Sequence, residues 1–141
     1  MTDSAPTART TIDELLAEAR AGLSRLTPLQ ASDGLKTGVL LVDIRSESQR
    51  ERDGVVPGAL FLPRNVVEWR ADPASSAHHP AFDDLDRPVV VMCDAGYQSS
   101  LLACTLQRLG FSEATDLVGG FQAWRDAGLP VEPLHPPHPS V

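Results

Sequence analysis

The chain has 141 residues, enough for one domain with its own hydrophobic core and no need of metal or disulfide staples. Apolar residues make up 42% and charged residues 22%, ordinary globular usage, and 12 basic against 19 acidic side chains leave a formal charge of −7. That sign argues against nucleic acid and against an anionic membrane as partners.

Residues 1–9 (MTDSAPTAR) read as a flexible tail with no apolar stretch, so no signal peptide is expected. Thr11-Ile12-Asp13-Glu14 has the form of a capping box, and Ile12, Leu15, Leu16, Ala19 and Leu23 follow at helical spacing, predicting one buried stripe. Thr27-Pro28 opens a second short helix that runs to about Lys36, before Gly38. Val39 to Val42 is a continuous apolar run, as in a buried parallel strand, and Asp43-Ile44-Arg45 lies at its carboxyl end. A polar helical stretch follows from Ser46 to Arg52, then a turn (Gly54 to Ala59) and a second strand from Ala59 to Leu62. Asn65 is placed to cap a short helix, and Asp72 to Pro80 reads as a loop. Val89 to Met92 is the clearest strand, and Cys93 ends it. Asp94 to Gln98 form a tight loop before a helix from about Ser99 to Leu109, with Leu102, Leu106 and Leu109 inward and Gly110 as its stop. A strand from Ala114 to Val118, a Gly119-Gly120 turn and a helix from Phe121 to Asp126, stopped by Gly128, complete the set.

Strands alternating with helices predict an α/β fold: a single domain, residues 10–133, with a mostly parallel sheet flanked by helices on both faces. The proline-rich end, LPVEPLHPPHPSV, reads as extended with no apolar face to bury, and residues 134–141 are assigned to a tail. Nothing repeats at a fixed period, and no apolar run approaches the ~18 residues of a membrane span. Two cysteines, Cys93 and Cys104, make no disulfide framework, so a reducing, cytoplasmic setting is expected.

The chemistry is concentrated in VVVMCDAGYQSSLLACTLQRLG. A cysteine at the carboxyl end of a buried strand, a loop containing a glycine and a helix start aim free backbone N–H groups at one sulfur. Such a cradle favours the thiolate, the reactive form of cysteine, and also holds a persulfide or an oxyanion. Gly96 fits, because a loop wrapped around one atom needs positive φ or close backbone approach. Cys104 lies mid-helix among leucines and reads as structural.

Four stretches resemble the single-domain rhodaneses. Leu41-Val42-Asp43-Ile44-Arg45 is similar to that family's strand followed by Asp-x-Arg. Gly54-Val55-Val56-Pro57-Gly58-Ala59 is similar to its Ile-Pro-Gly-Ala turn. The third is the Cys93 loop, and the fourth is Leu117-Val118-Gly119-Gly120-Phe121-Gln122-Ala123-Trp124, similar to the closing Gly-Gly-aromatic-x-x-Trp signature. The resemblance implies sulfur transfer by two half-reactions. Cys93 takes sulfur from a small donor such as thiosulfate, forms a persulfide, and yields the sulfur to a thiol or to cyanide. It implies no metal and no organic cofactor. A sulfur-carrier or thioredoxin-like protein is the kind of partner that would serve as acceptor. Loop amides of Asp94, Ala95, Gly96, Tyr97, Gln98 and Ser99 would hold the anionic sulfur.

The loop also departs from the family, whose active members commonly carry Cys-Arg-x-Gly-x-Arg-Ser. Here the two arginine positions hold Asp94 and Gln98, so the loop has one negative charge and no positive one. Asp94 opposes an anionic donor, and weak thiosulfate activity is expected. This departure keeps open the alternative of a non-catalytic binding or redox-sensing module. Phosphatases and arsenate reductases of the same fold place an arginine six positions past the cysteine; Ser99 occupies that position here. Arg64, after the second strand, is the candidate to supply the missing charge. Asp43 is expected to touch the loop backbone. Arg45 either reaches the pocket rim or pairs with Glu47 or Glu51. Trp69 is assigned to the core, Phe121 and Trp124 to packing, and His78, His79, His135 and His138 to solvent.

Overall fold

Three helices begin where a side chain takes over the hydrogen bonding of the backbone. In the computed structural model, which describes residues 9–135, α1 (Ile12–Ala21), α2 (Pro28–Leu35) and α3 (Glu47–Asp53) each open with a capping box. The pairs are Thr11 with Glu14, Thr27 with Gln30, and Ser46 with Gln49. Each hydroxyl accepts from an N–H of the first turn, and the partner side chain accepts from the cap N–H. In α1 the Thr11 backbone N–H, then its hydroxyl, holds the Glu14 carboxyl below its ordinary range.

Strands β1 (Leu40–Asp43), β2 (Leu60–Phe61), β3 (Val89–Met92) and β4 (Ala114–Asp116) form one parallel sheet in the order β2-β1-β3-β4. Val42 lies opposite both Leu60 and Val91, and Val91 opposite Asp116. The side chains alternate between two cores. Leu40, Val42, Val89, Val91 and Cys93 pack with Val67 and Ala71 of α4 (Val67–Ala71) and with Leu102 and Leu106 of α5 (Gln98–Arg108). Leu41, Val90 and Met92 pack on the other face with Ala31 of α2 and with Phe121 and Trp124 of α6 (Gly120–Asp126). Burial on both faces is why β1 and β3 are continuous apolar runs rather than alternating ones.

The structure corrects several sequence expectations. The predicted stripe is mostly uncovered: Ile12 and Leu15 are exposed, Leu16 and Leu23 are half-buried, and Ala19 is buried, because α1 packs chiefly against α5. Asn65 caps nothing and lies inside a 3-10 turn, Arg64–Val66, that runs directly into α4. Trp69 is 62% exposed, because α4 buries Val67 and Ala71 one turn apart and so points position 69 outward. His78 and His79 are half-buried rather than solvated; His79 Nδ1 accepts from Ala81 N–H at 3.0 Å, and His78 Nε2 lies 3.0 Å from Asp83.

The proline-rich end does bury apolar surface where it begins. Leu129 and Val131 pack on the second core, Trp124 Nε1 donates to Pro130 O at 2.8 Å, and Val55 and Glu132 exchange both backbone bonds at 2.7 and 2.9 Å. Phe121 and Trp124 are packing residues as expected. The two tails, residues 1–8 and 136–141 with His138, fall outside the described residues.

Arg45 does not pair with Glu47 or Glu51. It is buried, with a two-pronged bond to Asp43 (Nε to Oδ1 3.0 Å, Nη2 to Oδ2 2.8 Å) and a further bond from Nη2 to Gly54 O at 2.8 Å. Its guanidinium carbon stands 3.7 Å from the Phe121 ring centroid, so one side chain joins the end of β1 to the Gly54 turn and to α6. Glu47 goes to Arg50 instead, at 2.9 Å. Removing one member of a buried pair strands the other charge. Asp43→Ala is expected to cost about 3–5 kcal/mol in urea unfolding, and the double change Asp43→Leu with Arg45→Leu is expected to cost less than Asp43→Ala alone. Equal or greater loss in the double variant would show that the pair contributes net stability.

Candidate active site

Cys93 follows β3 directly and is buried, 2% exposed. The chain then turns through Asp94 to Tyr97, and α5 opens at Gln98. Gly96 makes this turn at φ +88°, and its N–H donates to Cys93 Sγ at 3.1 Å. A side chain at Gly96 would also meet Gly119 N at 2.7 Å, so the position is closed to other residues twice over.

Three carbonyls of the loop are tied from behind. Cys93 O accepts from Phe121 N–H at 2.8 Å, and Asp94 O accepts from Gln122 N–H at 3.1 Å. Gly96 O accepts from two guanidinium groups, Arg20 Nη2 at 2.8 Å and Arg25 Nη2 at 3.0 Å. In a planar trans peptide the following N–H points the opposite way. The N–H groups of Asp94, Ala95 and Tyr97 are therefore turned away from these supports. Among the described residues none accepts from the N–H of Ala95, Tyr97, Gln98 or Ser99. The result is a set of uncommitted donors around Cys93 at the start of an α-helix.

Behind the loop sits Asp116, at the end of β4 and fully buried. It accepts from Ser99 Oγ and Ser100 Oγ, each at 2.7 Å, and from Arg25 Nε and Nη2 at 2.8 and 3.2 Å. Ser100 Oγ in turn accepts from Arg20 Nε at 3.0 Å. The Ser99 side chain thus faces inward onto Asp116, and only its backbone N–H is available to the loop. Gly119 and Gly120, at φ +74° and +61°, bring the start of α6 up against the loop, where a Cβ on Gly120 would collide with the Cys93 carbonyl oxygen. That collision is the physical reason for glycine in the Gly-Gly-aromatic turn.

Cys93, Asp94, Ala95, Tyr97 and Gln98 line a shallow cleft of about 270 Å³. Asp94 Oδ2 accepts from Gln122 Nε2 at 2.6 Å, which tethers the carboxylate to α6. Gln98 also lines a neighbouring groove of about 720 Å³, with Phe61, Arg64 and Asn65. Arg64 belongs to that groove and not to the Cys93 cleft, and its Nη1 is spent on Glu68 at 3.0 and 3.1 Å. Asp43 does not touch the loop, because its oxygens are taken by Arg45. Cys104 is a half-buried free thiol on α5.

Sequence reasoning missed Asp116, Arg20, Arg25 and Gln122. The bonds of Arg20, Arg25 and Gln122 to the loop or to Asp116 span 28 to 91 residues of sequence, and Asp116 lies 16 residues beyond Ser100, so no local pattern announces them.

A buried cysteine at the carboxyl edge of a parallel sheet, ringed by backbone donors, defines a domain built for anionic sulfur or oxyanion chemistry. Residues 27–127 match the Rhodanese family, the Rhodanese-like domain, and the chain belongs to it. It is 35% identical to thiosulfate sulfurtransferase GlpE of Pseudomonas savastanoi pv. phaseolicola over 101 residues, 72% of this chain and 86% of that one. It is 34% identical to a sulfurtransferase of Allochromatium vinosum over 93 residues, 66% of this chain and 78% of that one. Among solved structures, a protein of unknown function, possible tyrosine phosphatase, from Rhodopseudomonas palustris superposes with a TM-score of 0.81 at 38% identity, covering 92% of this chain and 100% of that chain. The protein is a rhodanese-like sulfurtransferase. Among the described residues no helix is long and apolar enough to cross a membrane.

The two-glycine turn yields a direct test. Gly120→Ala is expected to slow sulfur loading at least about tenfold by displacing the Cys93 carbonyl, besides the strain of about 1–2 kcal/mol of a left-handed alanine. Gly128→Ala, at a similar φ of +74° but with open space around it, is expected to carry the strain cost alone and to load normally. Equal loading in both variants would remove the turn from the site.

Proposed function

We propose that Cys93 is the nucleophile of this sulfurtransferase. Its thiolate attacks the donor sulfur, and the bond from that sulfur to the rest of the donor breaks, S–S in thiosulfate and C–S in 3-mercaptopyruvate. The electron pair leaves with the donor residue, as sulfite or as the pyruvate enolate. The product is a Cys93 persulfide. A thiolate then attacks the terminal sulfur, the new bond forms, and Cys93 leaves as thiolate, so the enzyme returns unchanged. The observation that supports this reading is the Gly96 N–H on the Cys93 sulfur at 3.1 Å, with the N–H groups of Ala95, Tyr97, Gln98 and Ser99 uncommitted among the described residues. These donors stabilise negative charge on the thiolate and on the persulfide alike.

Asp94 sets the donor preference. Asp94 lines the cleft, and its negative charge repels thiosulfate, a dianion, more than a singly charged or neutral donor. Thiosulfate is the substrate named for the GlpE relatives; here a less charged sulfane donor or a protein persulfide fits better. For the acceptor we favour the thiol of a sulfur-carrier or thioredoxin-like protein, and for the setting the cytoplasm, where both free cysteines stay reduced.

The phosphatase reading suggested for the Rhodopseudomonas palustris protein has less support in this chain. The position of the oxyanion-clamping arginine is Ser99, whose hydroxyl is committed to Asp116. Arg20 and Arg25 approach the loop from its carbonyl side. A binding or redox-sensing module would use the same donors and thiol without turnover, so sulfur loading and release decide between the two readings.

Intact-protein mass spectrometry after incubation with thiosulfate or with 3-mercaptopyruvate tests the proposal. A gain of one sulfur atom is expected, lost on cyanide treatment and absent in Cys93→Ser. No gain with either donor, and a Cys93 that alkylates no faster than Cys104, would overturn the assignment. In the same assay Asp94→Asn is expected to raise loading by thiosulfate roughly three- to tenfold, and loading by the monoanionic 3-mercaptopyruvate by less.

A further inference from the structure

The Cys93 loop carries no basic residue, yet a positive charge lies against it. Arg20, in the last turn of α1, donates Nη2 to Gly96 O at 2.8 Å and Nε to Ser100 Oγ at 3.0 Å, and its guanidinium stands 5.7 Å from the Tyr97 ring centroid. It is half-buried, and among the described residues no carboxylate lies within ion-pair distance of it. Arg25, the other donor to Gly96 O, is held by both oxygens of Asp116, so its charge is cancelled locally. Both arginines precede residue 27, where the family match begins.

We infer that Arg20 is the positioning residue of the Cys93 loop, and that its guanidinium, brought by α1, supplies the positive charge the loop lacks. The route is short. Arg20 binds the carbonyl of the Gly96–Tyr97 peptide, and the N–H of that same peptide points away from Arg20 and is uncommitted beside the cleft that Cys93 and Tyr97 line. A cationic donor on the carbonyl polarises the whole peptide and strengthens its N–H as a donor. The same bond fixes Gly96, whose own N–H is on Cys93 Sγ.

The other charges around Cys93 leave Arg20 as the unbalanced cation. On the loop there is Asp94. At the end of β1, Asp43 is shared by Arg45 and Arg50, with Glu47 on Arg50 as well, and at the end of β4, Asp116 pairs with Arg25. Arg52 is bound by Asp53 and feels Asp94 more weakly. On α6, Arg125 lies beside Asp126, and α5 presents Gln98, Ser99 and Ser100 to this region.

This inference rests on Cys93 as the reactive thiol, and its test separates the two. Alkylation of Cys93 by iodoacetamide at pH 7, referred to Cys104 in the same molecule, reads thiolate reactivity without any sulfur donor. Arg20→Gln is expected to slow Cys93 alkylation about tenfold while Cys104 is unchanged. Arg20→Lys, which restores charge but fills only one of the two bonds, is expected to recover alkylation to within about twofold of the natural chain. In steady-state sulfur transfer, Arg20→Gln is expected to lower kcat more than it raises KM. An Arg20→Gln protein that melts cooperatively and alkylates Cys93 at the natural rate would overturn the inference. If Arg20→Gln does not fold, Arg20→Lys decides: alkylation preserved with slower sulfur transfer supports the role, and a tenfold loss of alkylation despite the retained charge overturns it. If the natural chain takes up no sulfur while Arg20→Gln still slows alkylation, the sulfur-transfer proposal fails and the role of Arg20 stands.

Discussion

A planar peptide that gives its carbonyl to one side must present its N–H to the other. The active site depends on that constraint. The carbonyls of Cys93, Asp94 and Gly96 are each held by donors from outside the loop, and those donors belong to α6, α1 and the connector after α1. No side chain needs to reach the sulfur for the cradle to form. The parallel sheet places Cys93 at its carboxyl edge, and the surrounding elements rotate the peptides. Three of the loop's peptides are thus fixed at the end that does no chemistry.

Asp116 extends the same logic inward. A buried carboxylate is costly unless its oxygens are filled, and here two serine hydroxyls and a two-pronged arginine fill them. Those serines are the second and third residues of α5, so the carboxylate that closes β4 also fixes where α5 starts and how Gly96 is presented. Arg25 links this hub to the Gly96 carbonyl, and Arg20 links it through Ser100. Structural and electrostatic roles are divided between two arginines on one carbonyl: Arg25 is charge-balanced by Asp116, and Arg20 is not.

The legible parts of the sequence were those with local causes. The capping box at Thr11 and the Thr27-Pro28 helix start declare themselves within four residues, and the apolar runs of β1 and β3 mark strands covered on both faces. Cys93, Gly96 and the Gly119-Gly120 turn were legible for the same reason, since each is a backbone requirement written as a residue type. Trp69 misled because an aromatic was weighed by its own apolarity, whereas a five-residue helix buries only the face holding Val67 and Ala71. Arg64 misled because a nearby arginine was counted as free, whereas Glu68 lies one turn on and takes it. Arg20 and Arg25 were invisible because their partners lie 71 to 91 residues away. The charge that a local reading found missing from the loop is supplied across the fold.

The depth of the sulfur decides what kind of partner can take it. Cys93 is 2% exposed, so a donor must reach it end-on through a cleft of about 270 Å³ walled by Asp94 and Gln98. Once loaded, the terminal sulfur stands about 2 Å further out along the new bond. The acceptor therefore meets a sulfur nearer the cleft mouth than the one the donor met, and need not enter as far. For the protein-borne thiol proposed as acceptor, Tyr97, 63% exposed beside that cleft, and the groove that shares Gln98 would offer a surface to rest on. In the proposed cycle the buried thiol and the persulfide are two states of one site, and the loop amides would hold the negative charge in both.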